Sequence, residues 1–281
     1  MKILDYLNTV QKQEKPLKFL IAKILIRIKL SRLFNFKYKH HILKFNPTFL
    51  SRNLWINPQR SHSGDEAENF IWNYLRKDDV FIDIGANIGT TTLEASKKIG
   101  DNGNIFSFEP NPRIFKFLQE NILLNKCKNV ELFNFALGSN PTDKYFSDIY
   151  TDESNSVQQN NIGIKVKMKT LYEIIPKEIR IDLIKIDVVG YEKFVFLGAR
   201  KILENTSCIH FPAIANLYKN YNYNYKDVFN ILKQHGFTIC TVFTPNILTV
   251  LPDDFEPKVG DYIAIKNIDE FLERSNYKLS D

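Results

Sequence analysis

The sequence has few cysteines and no long apolar run. Three cysteines, Cys127, Cys208 and Cys240, are spread over 281 residues. Their number and spacing exclude a disulfide framework and a four-thiolate zinc site. No stretch approaches the roughly 18 apolar residues that a membrane span needs, and the N-terminus lacks the apolar core and cleavage site of a signal peptide. These absences predict a protein of the reducing cytoplasm.

The composition predicts a folded globular protein. Hydrophobic residues make up 44% of the chain and charged residues 25%, which excludes disordered and collagen-like classes. A length of 281 residues accommodates one large domain or two small ones.

Charge is distributed unevenly along the chain. Residues 1–64 contain 13 Lys and Arg but only Asp5 and Glu14, whereas the remaining 217 residues carry 25 basic and 30 acidic side chains. We therefore divide the chain into a basic helical N-terminal extension (1–63), a main domain (64–270) and a C-terminal tail (271–281).

A helix is expected over residues 16–34 of the extension, with one apolar stripe formed by Leu17, Ile21, Ile24 and Ile28. Two uses of the extension remain open. In the first, the extension would pack on its own domain. In the second, it would dock on an anionic membrane surface and hold the protein at the inner membrane face.

The main domain alternates short apolar runs with amphipathic segments, which is typical of an α/β fold with a parallel sheet and helices on both faces. The pattern predicts strands at 80–84, 104–108, 130–135, 164–168, 181–186, 208–211, 237–243 and 262–265. It predicts helices at 66–76, 90–99, 114–124, 192–203 and 225–235. Residues 138–162 are rich in Ser, Asn, Asp and Gln and are expected to form an insertion loop.

The first predicted strand runs into a glycine-containing turn, Asp83-Ile84-Gly85-Ala86-Asn87-Ile88-Gly89-Thr90. No Lys follows Gly89, which excludes the nucleoside-triphosphate loop. Asn87 and Thr90 occupy positions where a dinucleotide fingerprint requires glycine. Asp83 adds a carboxylate, which favours a cationic ligand over a phosphate.

A second carboxylate, Glu109, ends the next strand, where it could accept hydrogen bonds from both hydroxyl groups of a ribose. A ligand with a ribose, an ammonium group and no phosphate is S-adenosylmethionine (SAM). The alternative is that Asp83 and Glu109 only cap the helices that follow.

Four segments carry a family resemblance: Asp83–Gly89, Phe108–Pro112, Asn129–Gly138 and Ile184–Glu192. In this order they resemble the FkbM-type methyltransferases over about residues 64–240. The resemblance implies a class I SAM-dependent methyltransferase with a seven-stranded, mostly parallel sheet. The cofactor-binding residues that it implies are Asp83, Gly85, Asn87, Gly89, Glu109, Asn111 and Ala136.

On the acceptor side, the resemblance points to Asp187 at the end of the predicted strand 181–186 and Glu192 at the start of the next helix as candidate catalytic residues. A bracing role of Asp187 toward that helix is the alternative. Val189 and Pro212 stand where the family usually has Glu, so two carboxylates are missing. His210 is a conceivable replacement base, although an isolated His in an apolar strand is more often a core residue.

The favoured function is O-methylation of a hydroxyl group on a glycan or a small metabolite. The tract Tyr218, Tyr221, Tyr223 and Tyr225, interleaved with Asn, is compatible with sugar stacking or with a plain polar loop. The alternative function is a non-catalytic SAM-fold protein that docks through its basic extension. Methylation of a nucleic acid is disfavoured, because Phe211-Pro212-Ala213 does not match the motif of enzymes that methylate amino groups. We assign no metal ligands.

Overall fold

The computed structural model describes residues 10–59, 65–244, 246–252, 255–257 and 259–280. Among them, nine strands form one large sheet. Their bounds are β3 (Val80–Ile84), β4 (Asn104–Phe108), β5 (Val130–Phe133), β10 (Ile181–Ile186), β11 (Thr206–Ala213), β12 (Thr238–Thr244), β13 (Ile247–Val250), β14 (Gly260–Ile265) and β15 (Lys278–Leu279). Their order in the sheet is β15-β13-β12-β14-β11-β10-β3-β4-β5. Strands β5, β4, β3, β10 and β11 run parallel, and β14 is antiparallel to both of its neighbours.

The α/β class and the mostly parallel sheet are confirmed, but the strand number differs from the expected seven. β13 folds back on β12, and β15 pairs with β13, so that two further strands extend one edge. Asn246 has φ +67° next to this hairpin, a conformation that Asn tolerates better than most residues. The two added strands were missed because they are short and half-exposed.

Helices cover both faces of the sheet. Their bounds are α3 (Asp65–Tyr74), α4 (Thr90–Ile99), α5 (Pro112–Leu124), α6 (Glu192–Leu203), α7 (Ala215–Lys219), α8 (Tyr225–Gln234) and α9 (Ile268–Arg274). Side chains of α6 and α8 pack with one set of alternating strand residues, and those of α3, α4 and α9 pack with the other set. Because successive strand residues point to opposite faces, each apolar strand is buried on both sides.

The polar stretch 138–162 is not the loop that was expected. Strands β6 (Ala136–Leu137), β7 (Thr142–Phe146), β8 (Val157–Gln158) and β9 (Ile164–Lys169) form a second sheet in the order β6-β9-β7-β8. Only one face of this sheet is buried, through residues such as Phe146, Val157 and Met168. Its polar residues occupy the other face and the turns, so composition alone concealed the strands.

The helix of the N-terminal extension is shorter than expected, and the extension packs against the main domain. Helix α1 (Pro16–Arg27) is followed by the hairpin β1 (Asn35–Tyr38) and β2 (His41–Lys44) and by α2 (Phe49–Ile56). The hairpin packs on α5, where Tyr38 and Leu43 join Phe117 in one apolar cluster. Asn121 of α5 accepts a hydrogen bond from the backbone N–H of Lys44 at 2.9 Å.

Helix α1 turns its predicted apolar stripe outward. Leu17, Ile21, Ile24 and Ile28 are 72%, 41%, 57% and 52% exposed. The helix packs instead through Phe19 and Ala22, which lie against Phe45 and Ile56. No helix among the described residues is long and apolar enough to cross a membrane.

The boundary drawn at residue 271 falls within α9. Phe271 is buried on the sheet, and the Arg274 guanidinium forms ion pairs with Asp79 and Asp182. These contacts attach the end of the described chain to the main domain.

Candidate active site

A cavity opens at the carboxyl edge of the large sheet, where β3, β4, β10 and β11 end. The turn after β3, the end of β4, the end of β10 and the small sheet form its walls. Among the residues that line it are Leu50, Gly85, Ala86, Asn87, Phe108, Glu109, Phe135, Ala136, Asp152, Lys185, Asp187, Val189, His210, Pro212 and Asp261. Ligands of open parallel sheets bind at this edge.

The turn after β3 is held tightly against the end of β10. Gly85 has φ +81°, and a Cβ atom added there would lie 2.0 Å from the Asp187 carbonyl oxygen. The Gly85 N–H donates to the Phe108 carbonyl oxygen at 3.0 Å. Gly85 therefore permits close backbone packing between two strands, in addition to lining the cavity.

Glu109 is a buried carboxylate in the cavity wall. The backbone N–H groups of Asn87 and Asn111 donate to its two oxygens at 3.0 and 2.8 Å. Burial raises the pKa of Glu109 to about 7, while these two hydrogen bonds act in the opposite direction. Each oxygen keeps a further lone pair for a ligand, as a carboxylate that recognises a diol requires.

Asp83 differs from its expected placement, because it does not line the cavity. It is fully buried, and its Oδ2 accepts hydrogen bonds from the hydroxyls of Thr91 and Thr92, both at 2.7 Å. Its Oδ1 pairs with the Lys185 ammonium at 3.3 Å. Asp83 therefore braces the following helix through two threonine hydroxyls, and it does not cap the backbone of that helix as the alternative had it.

Two other predicted cofactor residues also serve the backbone and lie outside the cavity lining. The side chain of Asn111 caps α5, accepting from the backbone N–H groups of Arg113 and Ile114, and its amide donates to Asp148 at 2.9 Å. Gly89 precedes α4, where an added Cβ would lie 2.5 Å from Leu118. Asn87 and Ala136, by contrast, do line the cavity.

Lys185 was not singled out from the sequence, although it lies within the Ile184–Glu192 segment. Its Nζ donates to the Gly85 carbonyl oxygen at 2.8 Å. Burial by itself would lower the pKa of this Lys, but the charges of Asp83 and Asp187 raise it. Lys185 therefore stays charged and ties the turn after β3 to β10.

The cavity lining also holds three titratable side chains that lie near one another: Asp187, His210 and Asp261. His210 Nε2 lies 3.6 Å from Asp261 Oδ2. Burial lowers the pKa of His210 to about 4, so its imidazole is neutral at pH 7. Burial raises the pKa of Asp261 to about 6. This part of the cavity can accept a proton.

Glu192 is not among the residues that line the cavity. Its Oε1 accepts from the backbone N–H groups of Val188 and Gly190 at 3.4 and 3.2 Å. Burial raises the pKa of Glu192 to about 7. Its contacts hold the turn between β10 and α6, in which Val189 has φ +53°.

The tyrosine tract belongs to the core, and the expectation of a sugar-stacking surface was wrong for three of its members. Tyr218, Tyr221 and Tyr223 are at most 9% exposed. Their hydroxyls donate to the carbonyl oxygens of Pro212, Val157 and Gly190 at 2.9, 2.7 and 2.6 Å. The alternation with Asn reflects a buried turn instead of a binding surface.

Asp152 is the residue of the cavity that sequence reasoning missed most clearly. It is buried, and its Oδ1 accepts from the backbone N–H groups of Phe49 and Leu50 at 2.7 and 3.2 Å. Its Oδ2 is buried without a hydrogen-bond partner among the described residues, and so is Asn87 Oδ1. Asp152 lies in the polar stretch that was expected to be a loop, and no local signal marked it.

The lining residues fit a nucleoside. Oxygen acceptors of Asn87, Glu109 and Asp152 line the cavity, and so do the apolar side chains of Phe135 and Leu137. Such a wall suits a ligand with several hydroxyl or amino donors and an apolar ring. Within the described ranges, no group of three or more His, Cys, Asp or Glu side chains is arranged to hold a metal ion.

This chain matches a protein family and is similar to a curated protein. The family described as Methyltransferase FkbM domain matches residues 83–279. A hexuronic acid methyltransferase of Haloferax volcanii, AglP, is 32% identical over 139 residues, which are 47% of this chain and 55% of that protein. The match therefore spans about half the length of this relative.

Solved structures of methyltransferases are also similar to this chain. A SAM-dependent O-methyltransferase from Thermotoga maritima is 12% identical with a TM-score of 0.44, covering 80% of this chain and 72% of that one. A precorrin-6y C5,15-methyltransferase from Geobacter metallireducens is 18% identical with a TM-score of 0.40, covering 72% and 86%. At these scores, nothing further about this chain follows from them.

Proposed function

This chain belongs to the FkbM methyltransferase family, and from that membership we propose that it methylates a hydroxyl group of a glycan or of a small metabolite. Its enzyme class, a SAM-dependent methyltransferase, follows from the family. The acceptor and the residues that act on it are our proposal.

The cofactor half of the site comprises Gly85, Asn87, Glu109 and Ala136. We assign the ribose hydroxyls to Glu109, because its carboxylate is held by two backbone N–H groups and lines the cavity. The adenine is assigned to the apolar wall around Phe135 and Ala136. Asp83, Gly89 and Asn111 act indirectly, since they hold the turn and the two helices in place.

The acceptor half comprises Asp187, His210 and Asp261. SAM, when bound, supplies a methyl group that its sulfonium already activates. The protein's remaining tasks are to align the acceptor oxygen with that methyl group and to take up the proton that an alcohol loses. Asp187 ends β10 at the cavity and is our first candidate for this base.

The observation that carries the proposal is the presence of both halves in one cavity. A diol-type acceptor site around Glu109 and a proton-accepting group around Asp187 line the same space. The printed name of the Haloferax relative, a hexuronic acid methyltransferase, supports a sugar as the acceptor. Neither the family match nor the described geometry supports the alternative of a non-catalytic binding protein.

A membrane-docking role for the extension is a second proposal, which one observation favours. The stripe Leu17, Ile21, Ile24 and Ile28 faces outward instead of packing on the domain. Lys18, Lys23 and Lys29 belong to the same region of the chain. Exposed apolar side chains beside lysines are typical of helices that lie in the interface of anionic bilayers.

The test of the methyltransferase proposal uses radiolabelled SAM and fractionated cell extract. We expect label in a glycan or small-metabolite fraction, and we expect it to resist mild alkali, because a methyl ether is stable where a methyl ester hydrolyses. Alkali-labile label would place the methyl group on a carboxylate. Labelled protein or nucleic acid alone would contradict the proposal.

A further inference from the structure

The N-terminal extension reaches the cavity at the start of helix α2. Helix α2 begins at Phe49, and the first N–H groups of a helix have no partner within the helix. Asp152 Oδ1 accepts from two of them, those of Phe49 and Leu50. The hydroxyl of Thr48 accepts the third, from Ser51 at 3.2 Å. Leu50 itself lines the cavity.

The second oxygen of the same carboxylate is left unused. Asp152 Oδ2 is buried and has no hydrogen-bond partner among the described residues, although an unsatisfied buried charge is costly. Burial raises the pKa of Asp152, while its hydrogen bonds to the start of α2 and the nearby side-chain amide of Asn87 oppose this rise. Asp152 is one of the residues that line the cavity, so a carboxylate with one oxygen satisfied and one without a donor is placed to accept a hydrogen bond from a ligand there.

Glu109 is near enough that the charge of Asp152 contributes to raising its pKa. The nearest ammonium group of the cavity, Lys185, is bound to Gly85 and Asp83. Two neighbouring carboxylates and the unpartnered Asn87 Oδ1 call for a ligand group that offers several hydrogen-bond donors. A ribose, with two adjacent hydroxyls, has this chemistry.

We propose that Asp152 binds a ribose hydroxyl of the cofactor through Oδ2 while Oδ1 holds α2, so that cofactor binding fixes the N-terminal extension to the main domain. The inference rests on the proposed assignment of this cavity to SAM. It adds a cofactor-binding residue from the small sheet region and a mechanical link to the extension.

The variant Asp152→Asn tests the two oxygens separately. An Asn keeps one carbonyl oxygen for the N–H groups of α2, but it replaces the open acceptor with an N–H₂ donor. We expect S-adenosylhomocysteine to bind at least tenfold more weakly in calorimetry. The matched control is Asp143→Asn, an exposed Asp of the same small sheet paired with Lys165, for which affinity should change less than twofold.

The 2′-deoxy and 3′-deoxy analogues of S-adenosylhomocysteine locate the contact. For the analogue that lacks the partner hydroxyl, the loss caused by Asp152→Asn should largely disappear. An equal loss with both analogues, or full affinity of the variant for the parent compound, would overturn the inference. Failure of the unaltered protein to bind S-adenosylhomocysteine would instead overturn the proposed function.

Limited proteolysis of the unaltered full chain provides a measurement that does not depend on how the variant folds. Trypsin cuts after Lys44 and Arg52, which flank and lie within α2. Saturation at 100 times the dissociation constant slows any cleavage that requires release of the cofactor by up to about 100-fold. We expect at least tenfold slower cleavage at these two sites with S-adenosylhomocysteine. Unchanged cleavage there would contradict the link.

Discussion

Asp261 lies directly opposite Pro212 in the antiparallel pairing of β14 with β11. The family resemblance led us to expect a carboxylate at the position of Pro212, and the structure has one, that of Asp261, on the neighbouring strand. His210, two residues before Pro212 and on the same face of β11, lies against Asp261. The acceptor side of the cavity thus retains acidic groups besides Asp187.

Replacing Asp187 with Asn should lower the rate of methyl transfer by about 100-fold or more, because Asn keeps the size of the side chain but cannot take up a proton. The affinity for S-adenosylhomocysteine should hardly change. The measurement is initial velocity with radiolabelled SAM, alongside calorimetry. Full activity of Asp187→Asn would give Asp187 a structural role and move the base to His210 and Asp261.

Replacing Glu109 with Gln should weaken S-adenosylhomocysteine binding by about 1–3 kcal/mol, since a charge-assisted hydrogen bond to the ribose is lost. The control is Glu131→Gln, on the exposed face of the neighbouring strand β5. Calorimetry of both variants checks the prediction. Equal affinities would remove Glu109 from the cofactor site.

Gly85→Ala should be much more destabilising than Gly236→Ala, although both glycines have φ near +80°. An added Cβ at Gly236 meets no atom within 4 Å, whereas at Gly85 it meets the Asp187 carbonyl oxygen at 2.0 Å. The conformational penalty, about 1 kcal/mol, is common to both. Urea denaturation should show a further loss for Gly85→Ala alone, and similar losses would mean that the backbone shifts freely there.

The stability of the Glu192→Gln variant, relative to that of the unaltered protein, should increase as the pH rises. The pKa of Glu192 is raised to about 7 in the folded state, so the folded protein binds its proton more tightly than the unfolded chain does. Ionising this group therefore costs stability as pH rises from about 4.5 to about 7. Gln does not ionise, so the stability of the variant relative to the unaltered protein should increase by about 2–3 kcal/mol between pH 5 and pH 8.

Urea denaturation of both proteins at pH 5 and pH 8 measures this difference. Glu131→Gln, at an exposed position of β5, serves as the control for the loss of a surface carboxylate. The same advantage of Glu192→Gln at both pH values would show that Glu192 is not held as a protonated acid.

The extension should bind anionic liposomes and release them in high salt. Each Lys or Arg near an anionic bilayer contributes roughly 1 kcal/mol, and exposed charges are screened within about 10 Å at 0.1 M salt. Ile24→Ser should reduce sedimentation with the liposomes, because Ile24 is 57% exposed. The matched control is Leu123→Ser, 80% exposed on α5. Equal recovery with neutral and anionic lipid would leave the extension as part of the fold only.

Periodic segments of the chain were predictable from the sequence because their signals are local. The bounds of β3, β4, β10, α4 and α6 agree with the expectations from apolar runs and helical spacing. Of the small sheet, the strand at 164–168 was predicted and corresponds to β9, whereas β7 and β8 were missed because they are short and lie in a polar stretch. Polar composition was a poor guide there.

The sequence by itself determined the fold class, the family and the edge of the sheet at which the site lies, because the order of strands and turns is written along the chain. Only the tertiary structure decided which carboxylates enter the cavity. Asp83 and Glu109 end neighbouring strands, yet Asp83 turns to Thr91, Thr92 and Lys185 while Glu109 lines the cavity. Asp152 joins Glu109 there from a distant segment. The direction of a buried side chain depends on long-range partners that spacing along one strand does not encode.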